Sequence, residues 1–90
     1  MNDRTIKMAS FIKSSKNRQK VAYCLEDSVK IPSDIANETD LRLNYVSMLL
    51  QELKDKSIVK CLNEDSKRGR FYKLTDDGKD AVEFVKTQNG

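Results

Sequence analysis

The sequence predicts a small α+β domain, mainly helical and carrying one antiparallel β-hairpin. Three observations point there. The chain has 90 residues and a mass of 10.3 kDa, enough for one core, since single cores organise about 100 to 200 residues. Apolar residues recur at three- and four-residue spacing through the first 56 positions and again after Thr75, the period of helices with one buried side. Between Ser57 and Thr75 the period shortens to that of two brief strands. Leu, Ile, Val and Phe make up about a quarter of the chain, above the roughly 20% below which a chain stays disordered.

The first thirteen residues carry Ile6, Met8, Ala9, Phe11 and Ile12, with Lys7 and Lys13 between them, and read as a segment able to form a helix. No small-residue cleavage site follows, so no signal peptide is expected. After Ser14-Ser15, the residues Val21, Ala22, Cys24 and Leu25 recur at helical spacing among Lys16, Arg18, Gln19 and Lys20. A serine cap and a helix over 16–27 fit this stretch. Ile31-Pro32-Ser33-Asp34 then reads as a break and a restart, because proline is tolerated in a first turn and an early acid complements the helix dipole. That short helix should end near Thr39-Asp40. Over 43–56, Val46, Leu49, Leu50 and Leu53 share one face, while Asn44, Met48, Gln51 and Asp55 lie opposite. The leucine face is a core face; the outward face is the one that requires a function.

Ile58-Val59-Lys60-Cys61-Leu62 and Arg70-Phe71-Tyr72-Lys73-Leu74 are the two β-type runs, joined by the charged loop 63–69. The hairpin thus spans 58–74. Thr75 caps a last helix over 76–87, with Asp76 and Asp77 in its first turn and Ala81, Val82 and Val85 on its buried side.

Charge is distributed unevenly. Residues 1–25 hold six basic side chains against one acid, residues 26–65 hold five against nine, and 66–73 hold Lys67, Arg68, Arg70 and Lys73 with no acid. The net charge of +3 therefore hides two basic patches, one N-terminal and one around Gly69. Histidine is absent, and Cys24 and Cys61 lie too far apart for a metal or redox CxxC pair. No catalysis, cofactor or bound metal is expected. The two cysteines sit in apolar stretches and read as buried reduced thiols. No apolar run approaches the roughly 20 residues of a membrane span; a cytosolic location, away from membranes, is the expectation.

The order of helix, short helix, turn, longer helix, basic hairpin and helix is the layout of a winged helix-turn-helix. The phrases Ser15-Lys16-Asn17-Arg18, Ile31-Pro32-Ser33-Asp34-Ile35-Ala36, Leu43-Asn44-Tyr45-Val46-Ser47 and Lys67-Arg68-Gly69-Arg70-Phe71-Tyr72-Lys73-Leu74-Thr75-Asp76-Asp77-Gly78-Lys79 occur in that order. Over roughly residues 14–86 the chain resembles archaeal-type winged-helix transcriptional regulators, related to the MarR and ArsR groupings. The resemblance divides the chain into an N-terminal segment, 1–13, and a winged helix-turn-helix domain, 14–88.

The resemblance implies sequence-specific binding of double-stranded DNA by a transcriptional regulator, with the 43–56 helix in the major groove and the wing on the backbone. Arg42, Asn44, Tyr45, Ser47, Met48 and Gln51 would then be the DNA-binding residues of that helix, the amides of Asn44 and Gln51 suited to an adenine edge and Ser47 to a base or a phosphate. Ser33, Lys67, Arg68, Arg70 and Lys73 would face phosphates, since free N–H groups and a hydroxyl at a helix start suit an anion. Lys16 and Arg18 are further candidates at the start of the first domain helix. Two departures stand out. Relatives often carry Arg or Lys at the positions of Met48 and Gln51, and they usually turn with glycine where this chain has Ser57.

Regulators of this layout read paired half-sites, so a homodimer is expected. Ile6, Ala9 and Ile12, together with Phe84 on the last helix, would form a terminal interface, or else would cap the monomer's own core. The alternative function is a winged-helix module for protein contact within a larger assembly, favoured by the acidic helix-turn-helix and by Met48 and Tyr45.

Overall fold

A computed structural model describes residues 3–66 and 69–89. Five helices and one hairpin follow in the order α1 (Asp3–Lys13), α2 (Lys16–Cys24), α3 (Pro32–Thr39), α4 (Leu43–Asp55), β1 (Val59–Cys61), β2 (Tyr72–Leu74) and α5 (Asp76–Asn89). Helices α3 and α4 with their three-residue turn form the helix-turn-helix, and β1–β2 form the wing. Among the described residues no helix is long and apolar enough to cross a membrane.

Local chemistry sets each boundary. The Ser15 side chain accepts from the Arg18 N–H and caps α2. This helix closes earlier than its apolar spacing predicts, because the Leu25 and Glu26 N–H groups tighten onto the Ala22 and Tyr23 carbonyls at 3.1 and 3.2 Å. Pro32 opens α3 at its first position. Asp40 ends it in the left-handed conformation, φ 61°, and the Leu41 N–H returns to the Ala36 carbonyl at 3.2 Å. The end of α4 repeats the device with Ser57, also at φ 61°. There the Ile58 N–H reaches the Leu53 carbonyl and the Ser57 N–H the Lys54 carbonyl, both at 2.9 Å, and buried Ile58 packs over buried Leu53.

In the wing, Val59 pairs with Leu74, Lys60 with Lys73 and Cys61 with Tyr72. Lys30 adds an isolated antiparallel bridge to Tyr72, with N–H···O distances of 3.1 and 2.8 Å. Both strands are shorter than the apolar runs suggest: at the inner end the Ile58 N–H turns back to the Leu53 carbonyl, and at the outer end, past the bond from the Leu62 N–H to the Phe71 carbonyl, the Asn63 side chain takes over from the ladder. Its Oδ1 accepts from the Phe71 N–H at 2.8 Å and its Nδ2 donates to the Gly69 carbonyl at 3.2 Å. Gly69 itself sits at φ +61°, a conformation that costs other residues about 1–2 kcal/mol.

The core draws on every helix and both strands: Ile12, Val21, Ile35, Leu50, Leu53, Ile58, Val59, Leu74 and Val85 are all buried in it. Helix α1 shares this core, packing along α5. Ala9 and Ile12, expected either at a terminal interface or in the monomer's own core, lie in the core, whereas Ile6 remains exposed and Phe84 half-buried. Cys24 and Cys61 are free thiols, half-buried rather than fully enclosed. Burial and the nearby Glu38 carboxylate push the Cys24 thiol above its ordinary pKa, with Lys30 opposing them.

Candidate nucleic-acid interface

Helix α4 turns Val46, Leu49, Leu50 and Leu53 inward, which leaves Asn44, Ser47, Met48, Gln51 and Asp55 on a solvent-facing surface. The face that periodicity separates from the core is therefore uncovered. A groove runs beside it, between α4, the start of α3 and the base of the wing, lined by Pro32, Ser33, Leu43, Ser47, Gln51 and Arg70 among others. The groove thus brings together one predicted base contact from each of two α4 turns and the predicted backbone contacts Ser33 and Arg70. A separate concavity, lined by Arg4, Lys7, Met8, Phe11, Lys56 and Ser57, lies at the other end of α4 and shares no residue with this groove.

Arg42 is the N-cap residue of α4; it is exposed, and its side chain makes no cap bond. Arg70 is anchored through Nε to the Ser66 carbonyl at 2.8 Å. Lys16 is exposed on the first turn of α2. Lys67 and Arg68 lie outside the described residues.

Three expected contacts are placed otherwise. Arg18 turns inward: its Nη2 meets Glu52 Oε1 at 2.9 Å, its Nη1 donates to the Phe11 carbonyl and Ser14 Oγ at 2.7 Å each, and its guanidinium stacks 3.8 Å from the Phe11 ring centroid. It ties α1, α2 and α4 together, and only 14% of its side chain is accessible. Tyr45 is half-buried against the core, and its hydroxyl accepts from Asn17 Nδ2 at 3.3 Å, which directs it toward α2. Lys73, half-buried, lines a different recess with Leu25, Asp27 and Val29 on the loop after α2, apart from the groove.

The amides of the outward face are partly engaged. Asn44 Oδ1 accepts from the Tyr45 N–H at 3.1 Å, and Gln51 Nε2 donates to Asp55 Oδ1 at 2.9 Å. Leu43, which periodicity does not single out, is 52% exposed at the head of α4, and Met48 is 50% exposed at the centre of its outward face. Asn63, the residue that shapes the wing, was likewise not singled out by pattern; an Asn just after a strand run is the only signal that could have marked it.

Among the described residues, four of the nine acids of the middle segment are engaged in ion pairs within the fold. Glu38 pairs with Lys30 at 2.6 Å, Glu26 with Lys86 at 2.7 Å, and Glu52 with Arg18. Glu64, in the wing loop, pairs with Lys54 near the end of α4. The hydrogen bond to Lys54 holds the Glu64 carboxyl below its ordinary pKa, and the same bond raises the Lys54 ammonium above its own. Among the described residues no group of three or more His, Cys, Asp or Glu side chains is placed to hold a metal.

No family model and no curated protein sequence matches this chain. Solved structures do. The chain is similar to the homodimeric winged helix-turn-helix DNA-binding domain of Mb0332 from Mycobacterium bovis, a possible ArsR-family transcriptional regulator, with 18% identity over 99% of this chain and 87% of that one, at a TM-score of 0.78. It is similar to the MarR family transcriptional regulator SPO1453 from Silicibacter pomeroyi, with 13% identity over 97% of this chain and 65% of that one, TM-score 0.72. A mutant of ZitR from Lactococcus lactis matches at 14% identity, 83% of this chain, 52% of that one and TM-score 0.74. The chain spans about half to two thirds of the length of the last two. Together with the element order and the wing register, these similarities establish the fold as a winged helix-turn-helix.

Proposed function

We propose that the protein binds double-stranded DNA sequence-specifically and acts as a transcriptional regulator, with α4 in the major groove and the wing along the neighbouring backbone. The observation that carries this is the α4 face: a surface of Asn44, Ser47, Met48 and Gln51 left exposed among the described residues, beside a groove that Ser33 and Arg70 border, with Arg42 at its head. An α-helix fits the major groove, and cations and a helix start at its margins suit phosphates. The likeness to a DNA-binding domain and to MarR- and ArsR-type regulators supports the same reading. It is a binding function without catalysis or cofactor, exercised in the cytoplasm. The finer kinship with archaeal-type regulators rests on the four sequence phrases from Ser15 to Lys79.

The protein acts on DNA as a homodimer in this reading, as the Mb0332 domain is homodimeric. Two copies of one small domain supply the contact area and the paired half-sites that specific binding requires. The test is titration of duplex DNA at several salt concentrations. Affinity should fall steeply with salt through counterion release, and Arg42→Ala and Arg70→Ala should each flatten the slope of log K against log salt by about one unit. Binding that ignores salt, or no binding at low salt, would move the protein-contact reading into first place.

A further inference from the structure

The outward face of α4 has an unusual composition for a base-reading surface. From Leu43 to Leu53 there is no Lys or Arg, the side chains that bond guanine in the major groove. The two amides suited to adenine each spend one polar group locally, Asn44 on the Tyr45 N–H and Gln51 on Asp55. What the face presents instead is two long apolar side chains, Leu43 and Met48, each about half exposed. Pressed against a major groove, they would desolvate polar base edges without bonding them, except at one feature. Thymine's C5-methyl group is the apolar element of the groove floor, and only there does burying Leu or Met remove apolar surface from both partners.

Resting on the DNA-binding reading above, we infer that Leu43 and Met48 are specificity-determining residues that contact thymine methyl groups, so that the duplex beneath α4 is rich in A·T pairs. They stand five positions apart, about 7.5 Å along the helix axis and about 140° around it, so they flank the exposed stripe of Asn44, Ser47 and Gln51 and reach base pairs about two steps of 3.4 Å apart. Both can therefore be satisfied within one short A·T stretch. Ser47, exposed one residue before Met48 on the same outward face, adds a hydroxyl compatible with any base or with a phosphate. Arg42, at the N-cap, serves the backbone rather than the bases.

The experiment uses the full chain to select duplexes from a randomised pool, then remakes the strongest with deoxyuridine in place of thymine, which removes the methyl and leaves pairing intact. An A·T-rich core should emerge, and uracil replacement should weaken binding by about fourfold for each methyl contacted. Met48→Gln keeps the side-chain length at an exposed position, and Leu43→Ala shortens another exposed side chain, so neither threatens the core. The double variant should bind thymine and uracil duplexes equally. A selected core dominated by G·C pairs, or a wild-type affinity indifferent to uracil, would overturn the inference while leaving DNA binding in place. Failure to retain any duplex at low salt would instead defeat the DNA-binding reading, and this one with it.

Discussion

Ser57 shows how a single residue can depart from what its backbone prefers. It occupies the left-handed position that closes α4, φ 61°, where the Ile58 and Ser57 N–H groups cap the last carbonyls. A side chain there costs about 1–2 kcal/mol of local strain, and glycine returns part of that gain by loosening the unfolded chain. Ser57→Gly should therefore stabilise the fold by about 0.5–1 kcal/mol, read as a higher urea midpoint with an unchanged m-value. The position was legible, since glycine is the usual turn residue there. Arg18 was not. Its sequence neighbourhood marks only a basic patch, whereas its role is set by Glu52, 34 positions away, and by the Phe11 ring. Replacing Glu52 with Gln leaves a mostly enclosed guanidinium without its counter-charge. A loss of about 1–3 kcal/mol is expected, tempered by the partial exposure of Glu52, and a Glu52→Gln urea curve that overlays the wild type would refute it.

Between elements, the hairpin meets α5 through one hydroxyl and one close backbone approach. Thr75 Oγ1 donates to the Ser57 carbonyl at 2.7 Å and accepts from the Gly78 N–H at 2.9 Å, so one hydroxyl caps α5 and ties it to the turn between α4 and β1. Gly78 then passes so close to the residue before β1 that a Cβ there would lie 2.0 Å from the Ile58 carbonyl oxygen. In an open helix Gly→Ala gains about 1 kcal/mol. Gly78→Ala should do the reverse and cost about 3 kcal/mol or more, because backbone must move from backbone. A variant as stable as the wild type in thermal or urea melts would refute this contact. The Thr75 cap was legible from Thr-Asp-Asp; the reason for Gly78 was not, since it lies in a carbonyl 20 positions earlier. A second junction, Lys54 with Glu64, ties the end of α4 to the wing loop. Glu64 is held below its ordinary carboxyl value of 4.5, so the tether is complete above that pH and is lost as pH falls through the lower folded value. Carbon-detected NMR should find Glu64 titrating below 4.5, and returning toward that value in Lys54→Met. Titration at the ordinary value in the wild type would mean that the pair does not form in solution.

At the scale of the molecule, element order and core were written in hydrophobic period and turn chemistry, whereas the partition of surface between this chain and a second copy was not. The apolar residues of α1 illustrate why. Ile6, Ala9 and Ile12 are equivalent by spacing, but only three-dimensional packing along α5 decides that Ala9 and Ile12 are enclosed, at 2% and 0% exposure, while Ile6 stays open at 42%. If the protein pairs through its terminal helices, Ile6 and the accessible part of Phe84 are the apolar surface left to do it, because the remainder of that stripe is already consumed. Ile6→Glu places a charge on an exposed position, so the monomer fold should survive with its circular dichroism and melting midpoint little changed. Two such charges meeting across a twofold interface would oppose association. Sedimentation should therefore show the wild type as a dimer at tens of micromolar protein and Ile6→Glu as a monomer, with affinity for a palindromic site reduced more than affinity for a single half-site. A wild type that sediments as a monomer, or an Ile6→Glu protein that remains dimeric, would exclude α1 as the seam and leave each domain to read its half-site alone.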